Sequence, residues 1–373
     1  MAKVATDDKC YGKCVSCLPS LSGKCVAVTG TTSGTGYWCA VAAIRAGATC
    51  VLLLNRPSVR AEKALDALMK EVKATASSSS LRQVDCDLQS FASVRAAAAV
   101  VVEESAQRCG GLDALVCNAG VMAVPDSRTG DSLDVQMQTN HLSHFLLTKL
   151  LMPSLEAAAA ARGEARVVQH SSGARKPNNR RPGSDDLEEA FFLPCAAGTL
   201  GGDKGACFLR YHMSKLANTA FAMALHTRLA TKGSKVKSVA AEPGVAATDL
   251  QANTARHHAC CMKCVFKCIG CCLKCTGKQH MQTAADGSCS LVVAAFDART
   301  ESGDLWMPSK MVPGKKFSVH GEPVKSVERG QANSMVPAWI TEKFESEALT
   351  LSPKNQATVW EASEKAIGET WAI

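Results

Sequence analysis

Residues 29–36 read Thr29-Gly30-Thr31-Thr32-Ser33-Gly34-Thr35-Gly36, and the rest of the chain is interpreted outward from them. They follow a short apolar run, 24–28, typical of a buried strand, and precede an Ala-rich stretch, 37–47, typical of a helix. Glycine lets a backbone approach an anion, and a helix N-terminus offers it free N–H groups and a positive dipole end. Although the spacing also fits an ordinary turn, it predicts a dinucleotide site contacted by Gly30, Thr32, Ser33, Gly34, Thr35 and Gly36.

Short apolar runs alternate with helical stretches on the C-terminal side of this turn. We predict strands at 24–28, 48–55, 81–88, 112–117, 165–170, 234–241 and 303–307. The predicted helices lie at 37–47, 58–74, 89–107, 133–161, 209–230, 279–298 and 354–368. Strands that alternate with helices at this spacing form right-handed crossovers, so the fold class is α/β with a doubly wound parallel sheet.

The chain divides into three predicted parts. Residues 1–22 are a leader containing Cys10, Cys14 and Cys17, residues 23–307 form one domain, and residues 308–373 are a C-terminal extension. Within the domain, 173–206 is rich in glycine, proline and charge and is interpreted as an insertion. It either rims the substrate site or is a solvated surface loop. A second unusual segment, 257–278, is rich in cysteine and lysine.

The amino-acid composition is that of a globular protein and does not indicate a nucleic-acid-binding or membrane-spanning one. The 373 residues are 46% hydrophobic and 20% charged, as in a soluble globular protein, and a net charge of +8 does not call for nucleic acid. We find no apolar run long enough to span a bilayer, and residues 1–21 lack the apolar core of a secretory signal. The 19 cysteines are therefore predicted to be reduced, in a cytoplasmic protein.

Polar residues follow six of the predicted strands, where an open parallel sheet binds its ligands. These are Gly30 to Gly36, Asn55-Arg56, Asp87, Asn118-Ala119-Gly120, Ser171-Ser172 and Pro243-Gly244. The second strand ends without the acidic residue that would accept hydrogen bonds from an NAD ribose. Its Arg56 instead suits a 2′-phosphate, so the sequence favours NADP(H).

A second group of candidate catalytic residues lies on the helix predicted at 209–230. Tyr211 and Lys215 are four residues apart, so both side chains point into the same space. A nearby ammonium group lowers the pKa of a phenol, and such a pair exchanges a proton with a carbonyl or alcohol oxygen during hydride transfer. Ser172, at the end of the fifth strand, is placed to hold the same oxygen.

Taken together, these motifs resemble the short-chain dehydrogenase/reductase family over about residues 22–310, and within it the retinol-dehydrogenase-like branch. The resemblance implies a Rossmann fold, with Tyr211 as general acid/base and Lys215 lowering its pKa and holding the nicotinamide ribose. It also implies that Ser172 orients the substrate oxygen and that Asn140 helps to hold a water for proton relay. The cofactor contacts that it implies are Asp87, Leu88, Asn118, Ala119, Gly120, Tyr211, Lys215, Pro243, Gly244, Val245 and Thr248.

Two features depart from the family pattern. Ser172 and Tyr211 are 39 residues apart, more than is usual in the family, which leaves open whether Ser171 or Ser172 is catalytic; we choose Ser172. The tail, 359–368, is similar to the C-terminus of light-dependent protochlorophyllide reductases, members of the same family.

The cysteine-rich segment 257–278 allows three interpretations: a peripheral membrane contact or substrate lid, a thiolate zinc site, or a plainly packed helix. We predict no metal site. The predicted function is an NADP(H)-dependent oxidoreductase that interconverts a carbonyl and an alcohol on a small lipophilic substrate. The alternatives are a protochlorophyllide reductase-like enzyme, a non-catalytic NADP(H)-binding protein and a dehydrogenase with an appended thiol-rich metal or redox module. The sequence leaves the substrate, the direction of reaction and the oligomeric state open.

Overall fold

The computed structural model describes residues 8–175, 185–196, 198–202, 204–250, 281–311, 318–326 and 347–373. Eight strands form one sheet: β1 (Cys25–Thr29), β2 (Cys50–Asn55), β3 (Ser80–Asp85), β4 (Ala114–Cys117), β5 (Ala165–His170), β6 (Val236–Ala241), β7 (Leu305–Met311) and β8 (Ser318–Lys325). Their spatial order is β3-β2-β1-β4-β5-β6-β7-β8. β1 to β7 are parallel and β8 is antiparallel to β7, so the predicted doubly wound sheet is confirmed.

Helices cover both faces of the sheet. They are α1 (Tyr11–Ser16), α2 (Gly34–Arg45), α3 (Val59–Ala74), α4 (Phe91–Cys109), α5 (Val135–Met137), α6 (Ser143–Arg162), α7 (Lys204–Thr231), α8 (Ala284–Phe296), α9 (Ala348–Leu351) and α10 (Pro353–Ile367). One buried apolar cluster lies between the sheet and α4, α6, α7 and α10. A second lies on the other face, beneath α1, α2, α3 and α8. Burial on both faces explains why the central strands are continuous apolar runs.

The C-terminal segment is part of the first cluster. Trp360 stacks on Trp371 with ring centroids 4.9 Å apart, and Phe145 meets both rings edge-on. Acidic residues of the predicted insertion bind the same segment, through ion pairs from Lys354 to Asp186 at 2.8 Å and from Lys365 to Glu189 at 2.6 Å. The described acidic part of the insertion therefore lies against α10 through ion pairs at the protein surface. Whether the insertion rims the substrate site or is a surface loop stays open.

The structure corrects several predicted boundaries. β7 runs to Met311, so the predicted domain end at 307 cuts a strand, and the sequence missed β8. The helix predicted at 133–161 is interrupted by a π-helical turn at Gln138–Leu142, and α7 begins inside the predicted insertion, at Lys204. The division of the chain into three parts otherwise stays a prediction.

The described part of the leader packs on the domain. The backbone N–H groups of Lys9, Cys10 and Tyr11 donate to the Asp286 carboxylate at 2.8 to 2.9 Å, and the Tyr11 ring is buried. The cysteine-rich segment 257–278 lies outside the described residues, as do residues 176–184 of the insertion. Among the described helices, none is both long and apolar enough to cross a membrane.

Candidate active site

A cavity of about 400 Å³ lies along the carboxyl ends of the parallel strands. Most of the predicted site residues contribute to its wall, from all six strand ends and from the Tyr211–Lys215 helix: Gly30, Thr32, Ser33, Gly34, Thr35, Arg56, Asp87, Leu88, Asn118, Ala119, Gly120, Ser172, Tyr211, Lys215, Pro243, Gly244 and Thr248. Three other predicted site residues, Gly36, Asn140 and Val245, lie outside this described lining. The residues predicted to bind the cofactor and those predicted to be catalytic therefore line one cavity.

The glycine turn is built against the loop that follows β4. Gly30 and Gly34 have φ angles of +72° and +65°, a region that side chains disfavour. The Asn118 amide donates to the carbonyl oxygens of Thr29 at 2.9 Å and Gly30 at 3.2 Å. A Cβ at Gly36 would lie 2.2 Å from the Asn118 side chain, so only glycine fits behind the turn. Gly36 therefore allows the close packing of the turn against Asn118, although it does not line the cavity.

The N-terminus of α2 is suited to an anion. Its N-cap residue, Ser33, makes no side-chain capping bond, and the first turn contains no acidic residue. Its N–H groups therefore face the cavity end of the turn with a positive dipole.

The two residues at the end of β2, Asn55 and Arg56, have different surroundings. Asn55 is buried: its oxygen accepts from the Thr31 N–H at 2.8 Å, and its amide donates to the Thr31 hydroxyl at 2.7 Å. Arg56 lines the cavity. Arg60, in the first turn of α3, also lines it and contacts the Ser33 hydroxyl and the Asp249 carboxylate. The sequence missed Arg60, because Arg56 lies before the start of α3 and no helical spacing relates the two arginines.

Asn140 does not line the cavity but hydrogen-bonds to two of the segments that do. It is buried in the π-helical turn, a feature frequent at functional sites. Its side-chain oxygen accepts from the Val121 N–H at 2.8 Å, and its amide donates to the Val121 carbonyl at 2.9 Å and the Ser214 hydroxyl at 2.9 Å. Asn140 thus joins the Asn118–Gly120 loop to α7, and its implied part in a water relay stays a prediction.

Tyr211 and Lys215 project from α7 into the same end of the cavity. Lys215 Nζ lies 5.9 Å from the centre of the Tyr211 ring and donates to the His170 carbonyl at 2.9 Å. Burial lowers the pKa of Lys215 to about 8. Burial also raises the pKa of Tyr211 to about 12, a rise that a hydrogen bond with Ser172 reduces. Burial is the larger of the two causes, so the Tyr211 pKa lies above its usual value and the expected lowering of this pKa by Lys215 is not found.

The structure distinguishes the two serines after β5. The Ser171 hydroxyl is buried and donates to the Lys215 carbonyl at 2.9 Å, which fixes α7 to the sheet. The Ser172 hydroxyl is the one that meets the Tyr211 phenol. This geometry supports the choice of Ser172.

His170 is a further lining residue that the sequence did not single out. Its ring is buried and neutral, because burial and the Lys215 charge lower its pKa to about 3. Neutral imidazole avoids adding a second buried cation beside Lys215.

No group of three or more His, Cys, Asp or Glu side chains that could hold a metal occurs within the described ranges. The proposed thiolate zinc site and the proposed membrane contact both fall on 257–278 and so remain untested interpretations.

Comparison with known proteins identifies the family. Residues 24–181 match the short chain dehydrogenase family. Human retinol dehydrogenase 13 is 32% identical over 256 residues, 69% of this chain and 69% of that protein. The chain belongs to the short-chain dehydrogenase/reductase family, and its predicted resemblance to the retinol-dehydrogenase-like branch is confirmed.

Two further relatives define how far the likeness reaches. An uncharacterized oxidoreductase of Schizosaccharomyces pombe is 35% identical over 236 residues, 62% of this chain, and the chain spans only 63% of its length. The crystal structure of an uncharacterized protein from Mycobacterium paratuberculosis superimposes with a TM-score of 0.63 at 26% identity, covering 96% of this chain and 98% of that one. The likeness in fold therefore reaches beyond the part of the chain that is matched in sequence.

Proposed function

We propose that this protein is an NADP(H)-dependent oxidoreductase that interconverts a carbonyl and an alcohol on a small lipophilic molecule. One observation carries the proposal: Ser172, Tyr211 and Lys215 meet at one end of the same cavity that holds the glycine turn. A proton donor and a cofactor site in one cavity are what carbonyl reduction by hydride transfer needs.

The residues of the cavity fit the cofactor. In this proposal the glycine turn and the α2 N-terminus receive the pyrophosphate, and Asp87, which lines the same cavity, binds the adenine. Arg56 and Arg60 supply two guanidinium groups for a 2′-phosphate. Asn55, the last residue of β2, is not an acid, and both ends of its side-chain amide already hydrogen-bond to Thr31. Lys215 holds the nicotinamide ribose in this proposal.

The chemistry then divides between cofactor and protein. The nicotinamide supplies or accepts the hydride. Ser172 holds the substrate oxygen, and Tyr211 gives that oxygen its proton in reduction or removes it in oxidation. Lys215 places a positive charge near the phenol, which favours the phenolate that forms during reduction. Asn140 keeps the loop and helix that carry these groups in register.

A lipophilic substrate is supported by the apolar side chains beside the catalytic end of the cavity. Val121 and Met122 line it there, next to Gly120. The similarity to human retinol dehydrogenase 13 points in the same direction.

The direct test is NADPH consumption with retinal, aliphatic and aromatic aldehydes, steroid ketones and quinones, with NADH as the cofactor control. Turnover with NADPH well above that with NADH supports the proposal and names the substrate class. NADPH binding without turnover on any compound would contradict it. Illuminated protochlorophyllide would then be the next substrate, and failure there would favour a non-catalytic binding protein.

Cofactor selection provides a separate prediction. Replacing Arg56 and Arg60 together with Ala should weaken NADPH binding by about 10- to 100-fold, because two charge-assisted contacts to the phosphate are lost. NADH binding should change by less than about twofold, since NADH lacks that phosphate. Fluorescence titration of both cofactors measures the two constants. Arg45→Ala is the matched control, since Arg45 pairs with Glu71 at the other end of α2. If the double variant bound NADPH and NADH more weakly by the same factor, Arg56 and Arg60 would not recognise the 2′-phosphate.

The pH dependence of carbonyl reduction should follow Lys215. Its pKa of about 8 means that the ammonium is present below pH 8 and is lost as the pH rises. Tyr211, with a pKa of about 12, keeps its proton throughout that range. We expect kcat/KM for NADPH to be constant at low pH and to fall about tenfold per pH unit above about pH 8. A flat profile to about pH 10 would show that the Lys215 charge is not required.

A further inference from the structure

A buried arginine stands next to the proposed catalytic serine. The Arg175 side chain is only 1% exposed, and the sequence places it in the basic part of the insertion. Its guanidinium contacts the Glu242 carboxylate and makes a two-pronged contact with Glu347, in which Nε donates to Oε2 at 3.1 Å. The same group donates to the Ser172 carbonyl at 3.0 Å, and the Arg175 backbone N–H donates there as well, also at 3.0 Å.

The partners of Arg175 come from three separate parts of the chain. Ser172 holds the hydroxyl that meets Tyr211. Glu242 follows β6 and directly precedes Pro243 and Gly244, which line the cavity. Glu347 lies at the start of the C-terminal segment, one residue before α9, and is 3% exposed. One side chain therefore ties the serine, the cofactor end of β6 and the C-terminal segment together.

The Arg175 ion pairs are buried, which makes them costly to break. Two buried carboxylates, Glu242 and Glu347, share the Arg175 guanidinium. Water cannot replace a lost contact at these exposures, and an unpaired buried charge is costly. Lysine keeps the charge but lacks the planar fork that reaches two carboxylates and a carbonyl at once.

We infer that Arg175 is a positioning residue, which holds the Ser172 hydroxyl against Tyr211, and that Glu347 makes this position depend on the C-terminal segment. The inference rests on the proposed function, because it assigns the geometry of the same serine. It also gives the insertion and the C-terminal extension a role in the activity.

Three variants test it: Arg175→Lys, Arg175→Met and Glu347→Gln. We expect kcat for carbonyl reduction to fall about tenfold or more in Glu347→Gln and further in Arg175→Met, with Arg175→Lys retaining more activity than Arg175→Met. The KM for the carbonyl and the NADPH dissociation constant should change less than about threefold, since the cofactor contacts remain. Glu347→Gln keeps the inference testable if Arg175→Met does not fold.

Arg166→Met is the matched control. Arg166 is also buried and charged, and it donates to the carbonyls of Ala294 and Asp297 at the other end of β5. We expect this variant to melt earlier but to keep the wild-type kcat. Variants of Arg175 and Glu347 that also melt earlier with an unchanged kcat would overturn the inference and leave the network purely structural.

Hydrogen exchange separates failure of the inference from failure of the proposed function. In Glu347→Gln, the peptide containing Ser172 and Arg175 should exchange faster than in the wild type, whether or not a substrate is known. If the wild type turns over no carbonyl compound, the proposed function fails while this exchange result still decides the coupling. Unchanged exchange at that peptide would overturn the coupling to the C-terminal segment.

Discussion

Tyr211→Phe should lower kcat for carbonyl reduction by about 10²- to 10⁴-fold, the range expected when a general acid is removed. Phenylalanine keeps the buried ring but removes the hydroxyl that meets Ser172, so the substrate oxygen loses its proton donor. The NADPH dissociation constant should change by less than about threefold, because the phosphate contacts lie at the other end of the cavity. Steady-state kinetics and fluorescence titration measure the two effects.

Tyr11→Phe is the matched control for this variant. Tyr11 is also a buried tyrosine, and its hydroxyl donates to the Trp38 carbonyl at 2.6 Å on the opposite face of the sheet. Losing that bond should cost about 1 kcal/mol of stability with no change in kcat. If Tyr211→Phe keeps wild-type activity while NADPH is still consumed, the proton comes from elsewhere and the assignment of Tyr211 is wrong.

Lys215→Met should reduce kcat/KM by about 100-fold or more, since it removes both the charge beside the phenol and the proposed contact to the ribose. Unlike Tyr211→Phe, it should also weaken NADPH binding. Methionine has a similar length and fills the same buried space, so a packing defect does not explain the loss. Kinetics and cofactor titration on the purified variant measure both effects.

The stability of Lys215→Met should move in the opposite direction to its activity. Burial lowers the pKa of Lys215 from 10.5 to about 8, so the unfolded chain holds this proton more tightly than the folded protein does. The charged lysine therefore destabilises the fold below pH 8 by about 3 kcal/mol, and this penalty fades as the pH rises towards 10.5. We expect the variant to melt at the wild-type temperature or above it at pH 7. Lower stability with unchanged kcat would make Lys215 a structural residue.

Much of the fold could be predicted because its strands are buried on both faces. Runs such as 50–55 are continuous and apolar, and the predicted limits of β1 to β6 agree with the structure to within about three residues. β8 was missed because it is an edge strand that contains Gly321 and Pro323, which the pattern assigns to a loop. The π-helical turn at Asn140 has no periodicity that distinguishes it from the helices on either side.

The candidate site also contains residues that the sequence predicted and residues that it could not. Its strand-end residues were predictable because a parallel sheet brings its carboxyl ends together, whatever the distance along the chain. The Arg175 network was not predictable: its partners Glu242 and Glu347 are 67 and 172 residues away, and no local pattern links them. Burial at Tyr211 likewise depends on tertiary packing, which is why the sign of its pKa shift differs from the expectation based on Lys215 alone.

The most direct measurement follows the hydride itself. The wild type is incubated with NADPH deuterated at the transferable position of the nicotinamide and with all-trans-retinal, or with the best carbonyl compound found among those above. We predict an alcohol product that carries one deuterium in mass spectrometry, formed about 10²- to 10⁴-fold more slowly by Tyr211→Phe. Tight NADPH binding with no deuterated alcohol from any carbonyl compound would contradict the proposed oxidoreductase function.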